Sequence, residues 1–138
     1  MTSVNKAGTI LINKDTKKVG LIHRTKQNDY SFPKGHQELN EDIIECAIRE
    51  TEEETQRNVE IFEDEIACQT YVDSRGDECH VHWFIANDLG QSEKKFDEEL
   101  KHTLIWVDFD EVENLLTYDN LKELFLENKA IIQRELNL

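Results

Sequence analysis

The chain is short of basic residues, proline, cysteine and long apolar runs, and each shortage removes a class of function. Lysine and arginine number 16 against 30 aspartates and glutamates, giving a formal net charge of −14. Such a surface repels nucleic-acid backbones and anionic membranes, which need positive patches. It does not exclude a small phosphorylated substrate, because a bound cation inverts the local field. No apolar run approaches a membrane span, and the polar start Met1-Thr2-Ser3-Val4-Asn5-Lys6 has no secretory pattern. The cysteines, Cys46, Cys68 and Cys79, are unevenly spaced and form no Cys-x-x-Cys pair. Reduced thiols and a cytoplasmic location are therefore expected. Cys79-His80-Val81-His82 lies in strand-like sequence, where alternation sends Cys79 and His80 to opposite faces, so no zinc site is expected. With a single proline, Pro33, and no Pro/Gly/Ser-rich stretch, nothing reads as a linker. One domain over 1–138, long enough to bury a core, is expected.

Hydrophobic periodicity and turn residues predict a mixture of strands and helices. Ala7 to Asn13 and Lys18 to Thr25 read as a hairpin turning at Lys14-Asp15-Thr16-Lys17. Tyr30-Ser31-Phe32 is extended, because Pro33 biases its predecessor away from helix. Gln37 to Asn40 forms a loop in which Asn40 tolerates positive φ. A helix follows from about Asp42 to Thr55 or beyond. Val59 to Asp73 and Glu78 to Asn87 read as two long strands joined across Ser74-Arg75-Gly76-Asp77. Leu104 to Asp108 is a further strand, and Asp110 offers an N-cap for a short helix through Leu116. A last helix begins at Asp119, with Leu121, Leu124, Phe125, Ile132 and Leu136 near helical spacing. The fold class expected is α/β, a mixed sheet with helices on both faces.

The predicted helix after Asn40 carries the chemistry. With Glu50 at zero and about 100° per residue, Glu53 falls at about 300° and Glu54 at about 40°. Ile44, Ala47, Ile48, Thr51 and Thr55 fall between about 60° and 160°, on the expected core face, while Glu45, Glu52 and Gln56 point to solvent. Acids at i, i+3 and i+4 repel one another by a few tenths of a kcal/mol per pair. A divalent cation removes that repulsion, and hard oxygen ligands suit Mg²⁺ or Mn²⁺. An acidic helix face alone is more often simply solvated; the flanking residues decide otherwise.

Gly35, Glu41, Arg49, Glu50, Glu53 and Glu54 match the Nudix box, Gly-x5-Glu-x7-Arg-Glu-U-x-Glu-Glu-x-Gly-U with U aliphatic. The run Phe32-Pro33-Lys34-Gly35-His36 also resembles that family's approach to the box. The resemblance implies an α/β/α sandwich and Mg²⁺-dependent substitution by water at phosphorus, with Mn²⁺ as a substitute. It implies metal held by Glu50, Glu53, Glu54 and the Gly35 carbonyl, and an Arg49 that orients a box glutamate. The general base is Glu53 or Glu99, and the sequence does not choose between them. Beyond the box, Pro33 to His36, Tyr71-Val72, His82-Trp83 and Glu98-Glu99 are similar in order to asymmetric diadenosine tetraphosphate hydrolases. That subgroup implies a small nucleotide substrate, with Lys34 and His36 near phosphates and Tyr71 and Trp83 at the base. A Trp in the place of Trp83, followed by Phe84 and Ile85, is more often a core residue, and His82 replaces an expected tyrosine.

Other readings stay open at this point. They are a nucleoside triphosphate or ADP-ribose pyrophosphatase and a nucleotide-binding Nudix domain without catalysis; a purely structural acidic interaction domain fails to explain the Gly35-to-Glu41 spacing. The sequence fixes no oligomeric state. The box also departs from its family at the end, where Gln56 and Arg57 replace glycine and an aliphatic residue, and Thr51 replaces an aliphatic residue within it. Asn58 takes positive φ more cheaply than Gln56, so the helix is expected to run past Gln56 and stop at Asn58.

Overall fold

A computed structural model describes residues 2–61, 64–94 and 102–138 of the chain. Its centre is β1 (Ser3–Asn13), which runs parallel to β7 (Glu78–Gln91) along one edge. On its other edge β1 pairs antiparallel with β2 (Lys18–Arg24) near its end and with β4 (Lys34–His36) nearer its start. Strands β3 (Asp29–Ser31) and β8 (Thr103–Asp108) flank β2, while β5 (Arg57–Ile61) and β6 (Ala67–Val72) both pair antiparallel with β7. The sheet is thus mixed, with helices on both faces, as the sequence predicts.

Alternation explains why the central strands are apolar on both sides. Ile10 and Ile12 of β1 and Val81, Trp83 and Ile85 of β7 pack with Leu121, Leu124, Phe125, Ile132 and Leu136. The opposite faces bury Ala7 and Phe84 against Cys46 and Ala47 of α1 (Ile43–Thr55), and Leu11 and Ala86 beside Ile48. Thr51, the departure from an aliphatic residue, is fully buried yet satisfied. Its hydroxyl donates to the Ala47 carbonyl at 2.7 Å, so Thr9, 2.8 Å away, donates to Thr51. Among the described residues no helix is long and apolar enough to cross a membrane.

Several expectations change. The long strand from Val59 to Asp73 is two strands, β5 on the Ala86–Gln91 part of β7 and β6 on the Glu78–Trp83 part. Asp110 is not an N-cap: it sits inside a 3-10 turn, Phe109–Glu111, that leads into α2 (Val112–Leu115). The last helix divides at Asn128 into α3 (Asp119–Glu127) and α4 (Lys129–Glu135). There the buried Asn128 amide donates to the Leu124 carbonyl at 2.9 Å. On α1, Ile44 is 44% exposed and Cys46 fully buried, so the buried face turns toward the carboxylates rather than away from them. The expected alternation at Cys79 and His80 holds, with Cys79 buried and His80 partly exposed.

The end of α1 is also corrected. The helix stops at Thr55, and Gln56 itself takes the left-handed conformation, φ 57° and ψ 33°, with its N–H on the Glu52 carbonyl at 2.8 Å. The local preference of Asn58 loses to sheet pairing: Arg57 and Asn58 are already in β5, opposite Gln91 and Gly90. Arg57 is fixed there by two hydrogen bonds to Asp88, at 2.8 and 2.7 Å. A side chain at positive φ costs about 1–2 kcal/mol, offset in part by the extra freedom glycine gives the unfolded chain. Gln56→Gly is therefore expected to stabilise by about 0.5–1 kcal/mol, raising the melting temperature by roughly 2–4 °C. A lowered melting temperature in differential scanning calorimetry would count against this account.

Candidate active site

Strand β4 and helix α1 build the site between them. Asp42 caps the helix, accepting from the Glu45 N–H at 2.8 Å, while the Glu45 carboxylate returns to the Asp42 N–H at 3.4 Å. Asn40 takes φ 66° in the preceding loop, as its side chain tolerates. This entry angle lays α1 along β4, so close that a Cβ at Gly35 would overlap the Glu50 carboxyl group. Glycine is needed here for approach.

Arg49 gathers the acids. Its guanidinium makes a bidentate pair with Glu41, at 2.6 and 3.0 Å, and reaches Glu50 at 2.8 Å and Glu53 at 3.2 Å. The same side chain donates to the His36 carbonyl at 2.9 Å, tying the end of β4 to the helix. Hydrogen bonding from Arg49 holds the Glu41 carboxyl down to about 2, well below its usual value. Glu41, spaced eight residues ahead of Arg49, is thus a positioning residue whose spacing in the sequence carried no assigned role. Arg49 is bound on three sides, not a solvent-facing arginine.

The carboxylates themselves differ. Glu53 is exposed, Glu50 and Glu54 partly buried. Glu54 accepts the Lys34 backbone N–H at 2.8 Å, yet burial, more than the neighbouring Glu50, pushes its carboxyl up to about 8. Burial also raises Glu50, against the pull of Arg49. Two acids are therefore held where negative charge is undercompensated. With the Glu50 carboxyl lying on Gly35 and hard oxygen donors around it, this set fits a divalent cation of the Mg²⁺ class. Glu50 and Glu53 turn toward Arg49, and among the described residues no three His, Cys, Asp or Glu side chains converge on one point.

A cleft of about 790 Å³ opens beside Glu54, with Lys34, Tyr71, Tyr118 and Arg24 among its walls. Lys34 Nζ lies 5.3 Å from the Tyr71 ring centroid, and Lys6 Nζ hydrogen-bonds the Tyr71 hydroxyl at 3.0 Å. Lys6 was not singled out by sequence, where it precedes the predicted strand Ala7 to Asn13. His36 is exposed on β4, its ring held below the usual imidazole range by burial and then by Lys6 and Arg75. Trp83 is 1% exposed, packed edge-on to Phe32 with Nε1 donating to Gln69 at 3.0 Å, so it takes the core alternative and leaves the base pocket. Alternation turns His82 to the other face, where it meets Glu65 at 2.5 Å. Glu99 lies outside the described residues. His102, also without a sequence signal, contacts the Glu54 carbonyl at 3.0 Å.

Behind Arg24 and Tyr118, which line the cleft, Asp29 is 3% exposed and accepts from Arg24 and the Tyr118 hydroxyl. Arg24 hydrogen bonding lowers its carboxyl to about 2, from a usual 3.8. A carboxylate depressed in this way stabilises the fold fully above its unfolded value and loses that contribution as pH falls through the folded one. Stability is thus expected to fall between about pH 4 and 2. Asp29→Asn should flatten that slope in melting curves recorded across the range; an unchanged slope would remove Asp29 as its source.

A NUDIX domain profile matches residues 3–128. Among solved structures, a NUDIX hydrolase from Nitrosomonas europaea aligns with TM-score 0.74 at 18% identity, covering 94% of this chain and 90% of that one. The C. elegans Ap4A hydrolase aligns with TM-score 0.71 at 25% identity, covering 96% and 99%. A MutT protein from Bacillus halodurans gives TM-score 0.66 at 24% identity, covering 94% and 82%. The profile spans all eight described strands and every box carboxylate, and on that match the chain belongs to the Nudix hydrolases.

Proposed function

We propose that the chain cleaves diadenosine tetraphosphate asymmetrically to ATP and AMP in a Mg²⁺-dependent reaction. The observation that carries this reading is one cleft that joins the acidic helix face at Glu54 to Lys34 and an aromatic, Tyr71, whose hydroxyl Lys6 contacts. Acid, cation and ring in that order suit metal, phosphate chain and base. The likeness to the C. elegans Ap4A hydrolase supports the same substrate class.

Glu50, Glu53, Glu54 and the Gly35 carbonyl would hold Mg²⁺, with Mn²⁺ a substitute. Bound there, the ion supplies charge neutralisation at the phosphate oxygens and a lowered pKa for attacking water. Water forms a new bond to phosphorus as the bridging P–O bond breaks, and its proton passes to Glu53 or Glu99. Lys34 steadies negative charge along the chain, and Arg49 keeps Glu50 and Glu53 in orientation while Glu41 holds Arg49. Three free thiols agree with a cytoplasmic setting.

The test is product chromatography after incubation with diadenosine tetraphosphate, nucleoside triphosphates and ADP-ribose. ATP and AMP in equal amounts are expected from the first. Two ADP molecules, or rapid turnover of triphosphates with the dinucleotide untouched, would move the chain to another Nudix subgroup. Tyr71→Ala should raise KM about tenfold if an adenine stacks there, since base–aromatic stacking contributes about 1–3 kcal/mol.

A further inference from the structure

Strand register brings a second cation, Lys6, against Tyr71, a wall of the cleft. Lys6 stands opposite His36 and Gly8 opposite Lys34 in the β1–β4 pairing, while β1 places Lys6 beside Val81 of β7. Residues level across paired strands share a face, so Lys6, Lys34 and His36 all point to the side of the sheet on which the core helices and the cleft lie. Tyr71 projects from β6 to the same side, packed against that core. The Lys6 ammonium ends 3.0 Å from the Tyr71 hydroxyl and 5.5 Å from its ring centroid, with Lys34 Nζ 5.3 Å from the same centroid. Both lysines are partly exposed. In a chain of net charge −14, two ammonium groups against one ring mark an anion site.

The two cations are rooted at different points along the β1–β4 ladder. Lys34 is fixed to the carboxylates through its own N–H on Glu54. Lys6 is displaced from the residue opposite Lys34 by two positions, about 7 Å along β1. Its root is thus displaced from the Lys34–Glu54 contact, and it approaches Tyr71 from a different strand, so it can meet phosphates that Lys34 does not reach.

We propose that Lys6 is a specificity-determining residue that binds the distal phosphates of the substrate and makes the site favour chains of four phosphates over shorter ones. The inference rests on the polyphosphate reading above and adds the residue that measures chain length. Lys6 acts through its charge; the bond to Tyr71 holds the ammonium beside this wall of the cleft until phosphate oxygens replace the phenol.

Wild type, Lys6→Met and Lys6→Arg are titrated by calorimetry with inorganic tripolyphosphate and with pyrophosphate, both in Mg²⁺, and assayed on diadenosine tetraphosphate. Lys6→Met should weaken tripolyphosphate binding about tenfold while pyrophosphate binding changes little, the loss expected for one charged hydrogen bond. KM for the dinucleotide should rise by a similar factor with kcat nearly constant, and Lys6→Arg should recover most of both. A purely structural Lys6 would move both anions alike and would not be rescued by charge. Equal weakening of the two anions, or no change in either, overturns the inference. A wild-type protein that leaves the dinucleotide uncut overturns the proposed reaction instead, and the ratio of the two anion affinities still decides the role of Lys6.

Discussion

Glu53→Gln, assayed in Mg²⁺ on whichever nucleotide the wild type hydrolyses, is expected to lower kcat at least about 100-fold. The change removes a charge and a potential base while keeping the shape of the side chain. Glu53 is exposed, and its carboxylate accepts from Arg49 at 3.2 Å, a contact that an amide oxygen can still accept. The fold should hardly notice: the melting temperature should stay close to wild type. Activity close to wild type in the folded variant would remove Glu53 from metal and proton chemistry and leave the base among the remaining acids.

Arg49→Met carries the second large effect, and it should strike stability and activity together. The guanidinium satisfies Glu41, Glu50, Glu53 and the His36 carbonyl at once. Glu41 is the costly orphan, since its side chain is only 12% exposed and its low carboxyl value depends first on Arg49. Removing one partner of a buried pair costs roughly 3–5 kcal/mol, less where the site is partly wet, so a loss of about 2–3 kcal/mol in urea unfolding is expected. Arg49→Lys keeps the charge but not the fork and should recover only part of it. Adding Glu41→Gln to Arg49→Met should restore some stability by removing the stranded charge. Independent, additive losses in the double variant would show that the two side chains do not act as a pair.

What was legible in the sequence divides along the range of the interaction. The Gly35–Glu54 spacing, the Asp42 start of α1 and the left-handed Asn40 are local, and each follows from residue chemistry over a few positions. The mixed sheet was readable because its strands carry period-two or wholly apolar runs. The break between β5 and β6 was not, because it depends on which part of β7 each segment finds. Gln56 shows the same limit in one residue: Asn58 had the better local preference, but pairing with Gly90 and the Arg57–Asp88 bonds decided where the helix stops. Trp83 could be weighed as core or pocket, and its own burial against Phe32 places it in the core. Lys6, from a residue 65 positions before Tyr71, left no pattern to find.

The central ladder also governs how the chain must assemble. β1 and β7 meet in parallel over ten residue pairs, from Ser3 with Glu78 to Ile12 with Asn87. During synthesis β1 and the acidic helix leave the ribosome well before β7, so Cys46 and Ala47 have no Phe84 to pack on and Glu50 and Glu54 are still hydrated. Closure of that loop comes late and pays its chain entropy before any strand contact rewards it. Refolding is accordingly expected on a timescale of roughly milliseconds to seconds, with the low-dielectric acidic pocket formed only when the last central strand docks.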